Sequence, residues 1–123
     1  MRNDKQNIIV EKSFDFALDI IEFSEMITEK KKFSLADQIF RAGTSIGANI
    51  REAQNAESKN DFIHKMKIAA KEADETEYWL QLCEKSIYLP TPNEKLYQDL
   101  KSLIYINASY LNFIFRAQLT YCI

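Results

Sequence analysis

The only pair of side chains with a spacing used in metal chemistry is Asp61 and His64, three residues apart in a segment with helical periodicity. Bundle proteins that hold two iron ions use two acid–histidine pairs of this spacing, together with two further inward carboxylates. The chain has a single histidine, so it cannot form a second pair. We therefore expect no metal and no cofactor. Asp61 would instead support the start of a helix, and His64 would lie at an interface or on the surface.

Other catalytic arrangements are also missing from the sequence. The acidic residues between positions 72 and 77 spread around a helix instead of converging: Glu72, Asp74, Glu75 and Glu77. The sequence has no glycine-rich phosphate loop, no nucleophile elbow and no cysteine paired with a histidine. Cys83 and Cys122 fit buried, reduced thiols better than a disulfide. We expect the protein not to be an enzyme.

Basic side chains are concentrated in the middle of the chain. Residues 30–71 hold nine basic and four acidic side chains, whereas residues 11–29 hold one and six, and residues 72–99 hold two and seven. This asymmetry allows a basic patch on a protein of net charge −2, although charge runs on helices also occur as solvated faces. If the patch binds RNA or DNA, the expected contacts are Arg41, Arg51, Lys59, Lys67 and Lys71.

Both glycines of the chain lie in this basic segment, four residues apart, at Gly43 and Gly47. Each costs a helix interior about 1 kcal/mol relative to alanine, which favours a close helix contact at this point. The partner in that contact is either a neighbouring helix of the same bundle or the backbone of another molecule. Nearby, Asn49 is expected to make a hydrogen bond between helices that fixes their register.

Four helices must position these residues, because apolar side chains recur at spacings of three and four along most of the chain. The predicted helices run from about Ser13 to Lys30, from an N-cap at Ser34 to about Asn55, from an N-cap at Ser58 to before Pro90, and from an N-cap at Thr91 to the C-terminus. Short connections between long helices predict an all-α, antiparallel up-down-up-down four-helix bundle. We expect one domain over residues 1–123, with residues 1–10 as a flexible arm.

Several helices carry more apolar surface than one shared core can use, which favours self-association. The interface residues expected on the third and fourth helices are His64, Ile68, Trp79, Leu82, Leu111 and Phe115. No segment approaches the ~20 apolar residues of a membrane span, and the N-terminus lacks the pattern of a signal peptide. We expect a cytoplasmic protein with no membrane partner.

One series of residues carries a resemblance to a known family: Phe33, Leu35, Gln38, Arg41-Ala42, Ser45-Ile46, Ala48-Asn49-Ile50, Glu52, Phe62, Ile68-Ala69, Glu75 and Trp79-Leu80. This series resembles the four-helix-bundle proteins encoded within intervening sequences of bacterial 23S ribosomal RNA genes. The resemblance covers roughly residues 10–118. That family is similar to the accessory variability determinant of diversity-generating retroelements, and the resemblance implies a homopentameric barrel around a central channel.

The resemblance also bears on nucleic-acid binding. Basic residues of the retroelement relative contact nucleic acid and the reverse transcriptase, and this basic character maps onto Arg41 and Arg51. The chain departs from the family at Ala53, where a glycine is typical, and its pI of about 5.5 is lower than that of the basic retroelement protein. Two hypotheses follow: a non-enzymatic homo-oligomer that binds RNA or another nucleic acid, and a homo-oligomeric scaffold for a partner protein without nucleic-acid binding.

Overall fold

The computed structural model describes the backbone of residues 7–121 and the side chains of residues 7–114 and 116. Within this part of the chain there are four α-helices and no strands. They are α1 (Ile8–Glu29), α2 (Phe33–Gln54), α3 (Lys59–Lys85) and α4 (Glu94–Tyr121). The predicted all-α class and the four helices are therefore confirmed. None of the described helices is both long and apolar enough to cross a membrane.

The start of α1 differs from the prediction. The helix begins at Ile8 instead of near Ser13, and Ile9 and Val10 are 1% and 6% exposed. The predicted flexible arm over residues 1–10 is thus wrong for residues 8–10, because these apolar side chains belong to the core. Residues 1–6 of that arm lie outside the described residues.

Local hydrogen bonds explain most of the other helix ends. Ser58 caps α3 as predicted, since its Oγ accepts a hydrogen bond from the backbone N–H of Asp61 at 3.0 Å. Thr91 does not cap α4. Asn93 takes that role, because its Oδ1 accepts from the backbone N–H of Leu96 at 2.8 Å. The predicted cap Ser34 lies inside α2, whose N-cap is Lys32 with no side-chain hydrogen bond.

The connection from α1 to α2 is a tight reversal at Lys31, which has a φ of 62°. The backbone N–H of Lys31 donates to the Thr28 carbonyl at 2.8 Å, and that of Lys32 donates to the Ile27 carbonyl at 3.4 Å. These two bonds are those of a Schellman motif, in which the left-handed position is usually glycine. A lysine at this position adopts a backbone conformation that is unfavourable for any residue with a Cβ.

Each helix contributes one buried stripe to a common core. On α2 the stripe consists of Ile39, Ala42, Ile46, Ile50 and Ala53. On α1 it consists of Phe16, Ile20, Phe23 and Ile27, while a second apolar stripe of that helix, Phe14, Leu18 and Ile21, is exposed. Ile87 has the spacing of the α3 stripe, four residues after Cys83, but it lies beyond the end of that helix and is 90% exposed. Tyr110 of α4 has the spacing of the core row of that helix but is 39% exposed, and among the described side chains of α4 the last buried one is Asn107.

Candidate nucleic-acid and self-association surfaces

The two glycines of α2 lie against α1. A Cβ built on Gly43 would be 2.7 Å from both γ carbons of the buried Ile20, and one built on Gly47 would be 3.2 Å from the carbonyl oxygen of Ser13. Both positions therefore lie where the two helices approach closely. Of the two neighbours suggested by the sequence, the structure places a helix of the same bundle beside both glycines.

Within the described residues, Asn49 makes no interhelical bond of the kind expected of it. Its Nδ2 donates to the carbonyl of Ser45, one turn earlier in its own helix, at 2.8 Å. Asn107 makes such a bond, since its Nδ2 on α4 donates to the carbonyl of Met66 in α3 at 3.0 Å. Asn107 was not predicted from the sequence, although it follows Leu103 at the four-residue spacing of the buried α4 stripe.

The basic residues of α2 face two different neighbours. The Arg51 guanidinium carbon lies 5.9 Å from the ring centroid of Phe14 in α1, within the range of a cation–π contact. Both side chains line a groove between α1 and α2 with a volume of about 280 Å³, which Ala17 and Gly47 also line. Arg51 therefore belongs to the α1 side of α2.

Arg41 lies on the α3 side of the same helix and forms an exposed ion pair with Asp37 at 3.6 Å. The positive charge of Arg41 also interacts electrostatically with Glu72 of α3. Burial, followed by the charge of Glu75, raises the pKa of Glu72, while the positive charges of Lys71 and Arg41 oppose that shift. The structure thus brings Arg41 and Lys71 to one surface, where acidic side chains also lie, and separates both from Arg51.

The remaining predicted nucleic-acid contacts are exposed lysines of α3. Lys67 and Lys71 are one turn apart on one face of the helix, and Lys59 is its first residue. Among the described residues, none of these lysines has an acidic side chain within ion-pair distance, and Arg51 has none either. In contrast, Lys65 binds Glu52 at 2.9 Å, and Lys95 binds two carboxylates at 2.8 Å each.

An aromatic side chain lies on the same face as these two lysines. Tyr78 is seven residues after Lys71 and is 55% exposed, and its ring packs edge-on against that of Trp79 with centroids 5.1 Å apart. A base of single-stranded RNA could stack on such a ring while the lysines neutralise phosphates. The face therefore combines the two kinds of contact that single-stranded nucleic acid requires.

The predicted interface residues of α3 lie on one side of that helix. His64 and Leu82 are exposed, while Ile68 and Trp79 are half-buried. Leu111 of α4 is half-buried against the core, and the side chain of Phe115 lies outside the described residues. Further large apolar side chains are exposed on α1, α2 and α4, including Phe14, Leu18, Ile21, Phe40, Tyr105 and Phe113.

The described part of the chain contains no group of three or more His, Cys, Asp or Glu side chains able to hold a metal ion. Burial raises the pKa of the Cys83 thiol to about 11, so this side chain stays protonated at neutral pH. His64 is exposed and lies six residues after Ser58, the N-cap of α3.

A family comparison and a comparison with solved structures agree with each other. Residues 5–109 match the family described as 23S rRNA-intervening sequence proteins. A solved structure from Bacteroides thetaiotaomicron, described as a protein with unknown function from the S23 ribosomal protein family, is 40% identical and has a TM-score of 0.76. That similarity covers 85% of this chain and 98% of the other. A comparison with curated protein sequences gives no match.

Proposed function

The chain belongs to the 23S rRNA-intervening sequence protein family, and from this premise we propose that it is a non-enzymatic, homo-oligomeric bundle that binds RNA through basic side chains of α2 and α3. One observation carries the RNA proposal: Arg51, Lys59, Lys67 and Lys71 are exposed and have no ion pair within the described part of the chain. A cation with no acidic neighbour at ion-pair distance can bind a phosphate without first breaking an existing pair.

The proposed topology is an antiparallel up-down-up-down bundle. Contacts between α1 and α2 support it, because they join the beginning of one helix to the end of the other. Asn7 Nδ2, at the N-cap of α1, donates to Oε1 of Gln54, the last residue of α2, at 2.7 Å. Further along α1, Ile20 lies beside Gly43. Short connections between successive helices also favour this arrangement.

Self-association is the second component of the proposal, and exposed apolar surface supports it. Five large apolar side chains of α1 and three among the described side chains of α4 are at least 37% exposed, and large exposed apolar patches mark interaction sites. A subunit number of five rests on the resemblance to bundle proteins that form a barrel.

Binding would combine electrostatic attraction with stacking. Lys67 and Lys71 would neutralise phosphates of single-stranded RNA, and Tyr78 would provide a stacking surface for a base. Arg51 would add a planar guanidinium at the groove between α1 and α2, where its present partner is the Phe14 ring. Because Glu72 lies beside Lys71, we expect affinity to be modest and sensitive to salt.

The experiment is fluorescence anisotropy with labelled single-stranded RNA at about 50 and 200 mM salt. Four phosphate contacts should weaken binding about fifty- to a hundredfold across that range, because each contact releases condensed counterions. The variant Lys67→Glu, Lys71→Glu should bind at least tenfold more weakly than the natural protein at 50 mM salt. Light scattering on the same samples checks that the oligomeric state is unchanged.

A matched control separates the local contact from the net charge. The variant Lys12→Glu, Lys30→Glu changes the net charge by the same amount, but its two exposed lysines belong to α1 and its C-cap. Equal loss of affinity in both double variants would show a general charge effect and would contradict a site on α3. Absence of binding by the natural protein at 50 mM salt would refute the RNA proposal itself.

The mixed charge around Arg41 favours a second candidate function, a scaffold for a partner protein. Asp37 and Glu72 lie close enough to Arg41 to weaken its attraction for phosphate, and complementary charges of this kind are common at protein interfaces. A partner protein held by apolar contacts should stay bound at 200 mM salt and be released by Trp79→Ala. Such a result, with no RNA binding, would favour this candidate.

A further inference from the structure

One exposed strip of α3, called the α3 face here, carries Lys67, Lys71, Asp74 and Tyr78. We propose that Asp74 makes this face selective for unpaired guanine. A guanine stacked on the Tyr78 ring donates hydrogen bonds from its N1–H and N2–H groups to the two carboxylate oxygens of Asp74. This inference rests on the proposed binding of single-stranded RNA by the α3 face, and it names the base that the face selects.

Asp74 lies between the lysines and the tyrosine of the α3 face. It is three residues after Lys71 and four residues before Tyr78, the two spacings at which side chains of a helix are neighbours, with Cβ atoms about 5–6 Å apart. Side chains of an α-helix lean toward its N-terminus, so the Tyr78 ring lies toward the turn that carries Asp74. A base stacked on this ring can therefore present its edge to the carboxylate.

The Asp74 carboxylate is exposed and has no cation within ion-pair distance in the described part of the chain. Two neighbouring acidic side chains differ from it. Glu75 Oε1 accepts a hydrogen bond from the Trp79 indole N–H at 3.3 Å, and Glu72 is half-buried. Asp74 thus keeps both carboxylate oxygens available for a ligand.

The Tyr78 ring is supported by contacts that do not involve a ligand. It packs edge-on against Trp79 with ring centroids 5.1 Å apart, and Trp79 is half-buried against the core. A side chain that is already held in place loses little conformational freedom when a base stacks on it. Tyr78 therefore provides a stacking surface whose position relative to Asp74 is set by the fold.

The chemistry of a carboxylate decides which part of RNA it can contact. A negative charge repels the phosphates that the lysines attract, so the favourable partner of Asp74 is a hydrogen-bond donor on a base. An ionised carboxylate accepts two parallel hydrogen bonds, and such charge-assisted bonds are stronger than bonds between neutral groups.

Guanine fits this requirement better than the other bases. Its N1–H and N2–H donors are adjacent on the Watson–Crick edge. Uracil has one donor between two carbonyl oxygens, and adenine and cytosine each place one amino group beside a ring nitrogen whose lone pair repels the carboxylate. Because the two guanine donors are already bonded to cytosine in a duplex, the α3 face selects guanine in single strands.

The experiment is fluorescence anisotropy at about 50 mM salt with short labelled oligouridines in which only the central base differs. The RNA with a central guanine should bind about fivefold more tightly than the RNA with a central adenine, the lower end of the discrimination given by a bidentate contact. Adenine is the critical comparison, because both bases are purines with similar stacking surfaces. Inosine, which lacks the N2 amino group, should lose most of the preference, whereas 7-deazaguanine keeps both donors and should retain it.

The variant Asp74→Asn separates a base contact from a charge effect. Loss of the negative charge should slightly strengthen binding of the adenine RNA, while binding of the guanine RNA should weaken until the preference is gone. The two RNAs thus change in opposite directions. Glu25→Gln is the matched control, since it removes the same charge from an exposed position of α1, and it should keep the guanine preference.

The outcomes separate this inference from the proposed function. Equal binding of the guanine and adenine RNAs by the natural protein would overturn the role of Asp74 while RNA binding stands. A gain of the same factor for both RNAs in Asp74→Asn would also overturn it, because Asp74 would then act only through its charge. Absence of binding for every RNA would refute the proposed function and this inference together. Circular dichroism checks that both variants are folded.

Discussion

Replacement of Gly43 by alanine tests whether the close approach of α1 and α2 requires glycine. The added Cβ would lie 2.7 Å from Cγ1 and Cγ2 of Ile20, a side chain that is 0% exposed. A β-branched side chain in a helix has one strongly preferred rotamer, so Ile20 cannot turn away at low cost. Overpacking of a core typically costs about 1–3 kcal/mol, whereas the higher helix propensity of alanine contributes about 1 kcal/mol of stability. We therefore expect Gly43→Ala to lower the free energy of unfolding by up to about 2 kcal/mol.

The assay is urea denaturation followed by circular dichroism at one fixed protein concentration, because association would otherwise shift the apparent stability. Ala48→Gly, at an exposed position of the same helix, measures how much the difference in helix propensity between alanine and glycine changes the free energy of unfolding. Ile20→Ala removes both γ carbons, so in that background Gly43→Ala should raise stability by about 1 kcal/mol. If Gly43→Ala alone matches or exceeds the natural stability, the argument from close packing is wrong.

Three further predictions concern the helix ends and one buried hydroxyl. Asn93→Ala should cost about 1 kcal/mol of stability because it removes the cap of α4, whereas Thr91→Ala should cost less; urea denaturation compares them. Lys31→Gly should raise the thermal midpoint, because the left-handed backbone conformation costs a lysine about 1 kcal/mol that glycine avoids. An unchanged midpoint would show that Lys31 is not strained. Burial, followed by a neighbouring carboxylate, raises the pKa of Tyr97, whose hydroxyl donates to the Leu80 carbonyl at 2.5 Å. Because the pKa of Tyr97 is higher in the folded than in the unfolded chain, its neutral hydroxyl contributes stability below about pH 10, and this contribution is lost at higher pH. The variant Tyr97→Phe has no such group. Its free energy of unfolding should therefore fall less than that of the natural protein as pH rises from 9 to 11.

The sequence predicted the elements with strong local signals. Ser58 was identified as a cap because its side chain needs only the backbone N–H three residues away, and α2 was identified as a helix because its apolar residues recur at spacings of three and four. On α1 two adjacent stripes were equally apolar. Only the packing of α2 decides that the stripe of Ile20 is buried and that of Leu18 exposed.

Features that depend on tertiary contacts could not be predicted in the same way. Asn49 and Asn107 are both asparagines on amphipathic helices, and the sequence does not distinguish their hydrogen bonds. Asn107 bonds between helices because the Met66 carbonyl of α3 lies beside it, whereas Asn49 bonds to a carbonyl of its own helix. The position of Arg51 over the Phe14 ring likewise depends on which side of α2 faces α1. The sequence named the basic residues as a group, while the fold separates Arg51 from those near α3.

The exposure of side chains in the second half of α4 has a consequence for local stability. Beyond Asn107, Tyr110 and Phe113 are exposed while Leu111 and Ile114 are half-buried, so this part of the helix has few packing contacts in a single chain. Helix segments with few packing contacts open more often than the core, and their amide hydrogens exchange faster. Any partner that covers this segment must also stabilise its helical backbone. Amide exchange in residues 108–114 would then slow with rising protein concentration, while exchange in the buried part of α2 would not change.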